Sequence, residues 1–169
     1  MNKFNVSQNV IKTHPKKKFM KFLLLFFSLF LFSCTNKISQ KIENNTKSKI
    51  ESKKMENQTA LQKQIDDLKN SMLEYMKTGQ PEYSTENVNN CVKILEDYVS
   101  EIEKTNSKDE AMKIVKSTVL KLNDLNNNAK SELIETGERE QIANIIISAT
   151  HAKGYNSMDE DVTEQWREW

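Results

Sequence analysis

Residues 85–105 read TENVNNCVKILEDYVSEIEKT, and their spacing decides the fold. Val88, Cys91, Val92, Leu95, Tyr98, Val99 and Ile102 recur at intervals of three and four. That period puts them on one stripe of a helix and leaves Lys93, Glu96, Asp97 and Glu101 on the opposite side. Ser84 or Thr85 is placed to cap the start, because a side-chain oxygen there accepts from an otherwise orphaned amide. A helix that is apolar on one side only must bury that side against another element.

The same reading extends outward. Upstream, Leu61, Ile65, Leu68, Met72, Tyr75 and Met76 predict a helix over about 59–78, ended by Gly79-Gln80-Pro81. Downstream, Ser107-Lys108-Asp109-Glu110 has the form of a capping box. The helix it opens carries Ala111, Ile114, Val115, Thr118, Leu122 and Leu125 on its inner face and reaches Asn128, or Leu133 at the furthest. A fourth helix starts near Thr136, with Glu138 and Glu140 in the positive field of its first turn. Ile142, Ile145, Ile146, Ala149 and Ala152 face inward, and Gly154 suits a left-handed stop. Four one-sided helices joined by short connections predict an all-α protein, an antiparallel four-helix bundle. Only 3 Gly and 2 Pro occur in 169 residues, which argues against a fold with many tight turns.

Charge is distributed unevenly. Residues 1–33 hold 6 Lys and no acid, residues 34–58 carry +3, and residues 59–169 carry 13 bases against 21 acids, a net −8. Phosphate backbones repel a domain of that sign, so nucleic acid is not an expected partner. A basic protein is, although a merely solvated acidic surface accounts for the same composition.

The amino-terminal part has a different character. Phe22 to Phe32 reads FLLLFFSLFLF, an uncharged run behind Lys16, Lys17, Lys18 and Lys21. As a helix its eleven residues span roughly 16 Å, too little for a bilayer core of about 30 Å. A positive flank followed by a short apolar run is the pattern of a secretory signal. The run ends in Leu31-Phe32-Ser33-Cys34, which resembles the lipobox of bacterial lipoprotein signals. What the resemblance implies is a signal peptide over 1–33, cleavage before Cys34, and a diacylglycerol on the Cys34 sulfur. Acyl chains would then hold the protein to a membrane of the cell envelope, facing the periplasm. Met20-Lys21 with the apolar run makes a compact signal by itself, so translation is expected to start at Met20. With Cys34 used by lipid, Cys91 remains without a disulfide partner and reads as a buried structural thiol.

Residues 34–58 are rich in Lys, Asn, Ser and Glu, and their few apolar residues are dispersed. They read as a flexible tether ahead of a helical domain over 59–169. The tail 155–169, YNSMDEDVTEQWREW, has five acids, one Arg and two Trp. Thr163 is placed to cap a short last helix that would bring Trp166 and Trp169 to one face. Two readings stand. The rings pack back onto the bundle as a lid, or at least one of them forms a partner-binding spot with Asp159, Glu160, Asp161 and Glu164.

Glu132-Leu133-Ile134-Glu135-Thr136-Gly137-Glu138-Arg139-Glu140, the Ile-rich helix after it, and Asp161-Val162-Thr163-Glu164-Gln165-Trp166-Arg167-Glu168-Trp169 are similar to small helical proteins of Bacteroidota, some of which resemble immunity proteins that neutralise toxins. The resemblance covers about the last forty residues and implies an inhibitory or binding role, with no activity or contact residue carried over. The expected alternative is a structural lipoprotein that scaffolds other envelope proteins.

Nothing in the sequence points to an enzyme. His151 and Cys91 fall short of the four ligands a structural zinc site needs, so no metal and no cofactor beyond the lipid on Cys34 is expected. Asp66-Asp67, Glu96-Asp97 and Glu101-Glu103 are acid pairs beside lysines at salt-bridge spacing, so they read as solvated helix faces before they read as catalytic carboxylates. There is no GxSxG, phosphate-binding Gly loop or HExxH.

Overall fold

A computed structural model describes the backbone of residues 36–169 and the side chains from residue 47 onward; the expected signal segment 1–33 and Cys34 lie outside the described residues. The chain divides into two units, Met1–Asn44 and Asn45–Trp169, and the second contains the bundle. The described residues form four helices and no strand: α1 (Asn36–Thr78), α2 (Thr85–Lys104), α3 (Lys108–Asn128) and α4 (Thr136–Ala152).

Cross-helix pairs give the directions. Gln58 meets Glu103 while Gln62 meets Glu96, so α1 and α2 run antiparallel. Tyr98 donates to the Ile146 carbonyl (2.8 Å), and Lys153 to the Glu103 carbonyl (2.9 Å), so α2 and α4 run parallel. This is the up-and-down order expected for short connections, with α2 packed closely against both α3 and α4.

The stripe read from 85–105 is the core. Val88, Cys91, Val92, Leu95, Tyr98 and Ile102 are buried with Leu61, Ile65, Leu68 and Met72 of α1. Val115, Val119 and Leu122 of α3 and Ile142, Ile145 and Ile146 of α4 complete it. Six expected inward positions are not fully buried: Met76, Val99, Ile114 and Leu125 are partly covered, Ala152 is exposed, and Tyr75 is 45% exposed. Tyr75 lies within the last turn of α1, where its ring passes so close to Gly79 that a Cβ there would fall 2.4 Å from it.

Three local expectations are corrected. The segment 34–58 was expected to be a flexible tether, yet residues 36–58 belong to α1, whose 43 residues make it about twice as long as its neighbours. No Gly or Pro occurs between residues 36 and 78, and Lys, Glu and Gln are good helix formers. Residues 47–56 are exposed, so propensity and neighbouring helix turns hold them, not a core. Second, the capping box before α3 is offset. Ser107 Oγ accepts from the Glu110 amide (3.3 Å), but the Glu110 carboxylate accepts from the Asn106 amide (2.9 Å), one residue earlier than expected. The reciprocal box instead opens α2, between Ser84 and Asn87.

The α1 stop falls at Thr78, just before Gly79-Gln80-Pro81 as expected, but its left-handed residue is not the glycine. Gln80 takes φ +50°, with Gly79 spent on the close approach of Tyr75. At the end of α3, Lys130 and Ser131 adopt φ +56° and +62°. The Ser131 and Lys130 amides there donate to the Asn126 and Asn127 carbonyls, a Schellman motif built without glycine. Gly154 closes α4 in the same motif at φ +77°, as expected. Third, residues 162–166 form turns and not a last helix: Thr163 O accepts from the Trp166 and Arg167 amides, and the chain does not wind further. Among the described residues no helix is long and apolar enough to cross a membrane.

Candidate functional site: the carboxyl-terminal strap

The tail leaves α4 through Gly154 and follows α3 as a strap. Tyr155 exchanges hydrogen bonds with Thr105 at the α2–α3 connection (3.3 and 3.2 Å). Asn156 is buried and donates to the carbonyls of Ile147 and Ser157, while His151 Nδ1 donates to the Asn156 carbonyl (2.9 Å). That contact holds His151 at the end of α4. Glu160 then pairs with Lys108 at the start of α3 (3.3 Å).

Asp161 organises the next turn. Its carboxylate accepts from the Thr163 hydroxyl (2.6 Å), the Thr163 amide (2.9 Å) and Arg167 Nη1 (2.8 Å). Burial alone would raise the carboxyl's pKa. The Thr163 and Arg167 hydrogen bonds, with the guanidinium charge, outweigh it and hold the group below its ordinary 3.8. Val162 and Thr163 are buried beneath this turn.

Both tryptophans are half-buried against the core. Arg167 lies over the Trp169 ring, 5.4 Å from its centroid. The strap is held along its backbone by Asn123, a buried side chain of α3. Asn123 Nδ2 donates to the Trp166 carbonyl (2.8 Å), and its Oδ1 accepts from the Glu168 amide (3.3 Å). The six tail residues singled out by sequence therefore divide. Asp161 and Glu160 are engaged with this chain's own cations. Asp159 and Glu164 are exposed, with no ion pair among the described residues, and Trp166 and Trp169 serve as a lid while keeping part of their surface in solvent. Met158 beside Asp159 is 45% exposed.

Sequence reasoning missed Asn123 and Arg167, and gave Thr163 the cap of a helix that does not form. Asn123 interrupts the apolar pattern of α3, so it reads as a solvent position, and no local signal assigns it to a segment more than forty residues away. A second concentration of carboxylates was also missed. At the other end of the bundle Glu132, Glu135 and Glu138 line a cavity of about 50 Å³ with Tyr75 and Tyr83. Burial first, then the charge of Glu138, the neighbouring Tyr75 and Glu135, push the Tyr83 phenol up to about 12, so it stays a neutral donor to the Met72 carbonyl (3.2 Å). Glu82 ties the two turns there, pairing with Lys130 and donating its amide to Glu132 (2.8 Å).

Among the described residues no group of three or more His, Cys, Asp or Glu is arranged to hold a metal ion. No protein family, curated protein or solved structure matches the chain.

Proposed function

We propose that the chain is a lipid-anchored protein of the bacterial cell envelope whose helical domain binds a basic protein partner, in the manner of an immunity-type inhibitor. The observation that carries the anchor is the apolar run Phe22–Phe32 ending in Leu31-Phe32-Ser33-Cys34, too short to span a bilayer and closed by a thiol. The binding role is supported by the net −8 of residues 59–169 and by the strap, where half-covered indoles and exposed Met158 share one short segment with Asp159 and Glu164, carboxylates with no ion pair among the described residues. Apolar anchors with a charged rim are the common anatomy of a protein interface, and opposite charge accelerates encounter with a basic partner.

Two measurements test the reading. Cells grown with radiolabelled palmitate are expected to label the protein, and Cys34→Ala is expected to abolish the label and release the protein from the membrane fraction. An unlabelled protein that stays particulate after Cys34→Ala overturns the anchor. Deleting the gene is expected to sensitise cells to a competitor's toxin. Unchanged survival combined with a leaky or misassembled envelope would replace the inhibitor with the scaffold reading.

A further inference from the structure

We infer that the groove where α1 crosses the ends of α2 and α4 is a binding site for a long-chain carboxylate. Its apolar wall is Leu61, Val99, Ile102, Ala149 and Ala152, enclosing a half-open cavity of about 240 Å³. A second cavity of about 320 Å³ adjoins it and shares Asn57, Leu61 and Ala152. The gap follows from the sequence. Leu61 is the last buried apolar residue of the α1 stripe towards its start, where Gln58, Asn57 and Lys54 continue the same face. Opposite them α4 presents only alanines. Ordinary bundle packing would fill such a space with branched side chains.

The polar groups at the mouth select the occupant. Lys54 and Gln58 both engage the Glu103 carboxylate, Lys54 at 2.9 Å, which balances that charge. Lys153 is partly buried and donates to the Glu103 backbone carbonyl (2.9 Å), with no carboxylate in ion-pair reach among the described residues. An ammonium with donors to spare at the rim of an apolar cavity matches a hydrocarbon chain ending in one negative charge. A single charge suits the site better than a phosphate dianion, which would sit against Glu103. The second cavity also takes in Met158 at the start of the carboxyl-terminal strap.

Calorimetric titration with dodecanoate, below its micelle-forming concentration, tests the inference on the chain carrying Cys34→Ser. Saturable binding at one molecule per chain is expected. Lys153→Gln should weaken it at least tenfold, and Ala152→Leu, which fills the wall common to both cavities from an exposed position, should abolish it. Dodecyltrimethylammonium, with the same chain and the opposite charge, should not compete. Absence of saturable binding overturns the site. So does affinity that survives both substitutions, or equal competition by the cationic amphiphile.

Discussion

Single side chains decide whether the strap stays down. Asn123 satisfies one carbonyl and one amide of a segment that has no helix of its own. Asn123→Ala is expected to cost about 1–3 kcal/mol, because both backbone groups lose their partner where water reaches them poorly. The checks are the urea midpoint and a red shift of tryptophan emission at neutral pH. Asp161 adds a pH dependence. Its folded pKa is depressed, so its contribution is present above the ordinary carboxylate value of 3.8 and disappears as pH falls through the lower folded value. Acid titration of the indole fluorescence should therefore show the strap loosening at the acid end of the carboxylate range. In Asp161→Asn that step should be gone and the neutral-pH stability lowered. Ser131, exposed at φ +62°, gives the opposite sign. Ser131→Gly is expected to stabilise by about 0.5–1 kcal/mol, since glycine relieves the left-handed strain at some entropic cost, read as a rise of a few degrees in Tm.

Among the elements, α2 was legible almost residue by residue, because a stripe buried by neighbours on either side enforces the 3.6-residue period. The starts of α3 and α4 were legible from their caps and acids, and Gly154 from its conformational freedom. The turn at 130–131 was not, since Lys130 and Ser131 carry no signature of a left-handed conformation. The early part of α1 was misread for a related reason. Pattern reasoning looks for an apolar face, and residues 47–56 have none to bury; only the lack of breakers and the supply of good helix formers signal the helix. This makes α1 uneven along its length. Hydrogen exchange is expected to be fast for amides 47–56 and slow for 61–72, where Leu61, Ile65, Leu68 and Met72 are buried, with the boundary near Gln58. Uniform protection from residue 47 to residue 72 would contradict it. The tail of the candidate site was legible as acidic and aromatic, but which of its carboxylates pair with cations of the described residues was not, because Lys108 and Asn123 reach it from distant parts of the sequence.

At the scale of the bundle, one continuous core joins all four helices and takes in Val162, with both tryptophans packed against it. Cys91 lies at its centre, fully buried, and burial followed by the charge of Glu138 pushes its thiol up to about 12. A protonated, enclosed sulfur does not react with an aqueous disulfide reagent. In a chain carrying Cys34→Ser it is the sole thiol of the 169-residue sequence. Such a protein contains its own stopwatch. Each chromophore released by a reagent such as dithiobis-nitrobenzoate marks one opening that let solvent into the interior, so the rate of colour counts those events without any label added. Anything that grips the folded domain, whether a toxin or a fatty acid, should slow the count in proportion to how tightly it holds.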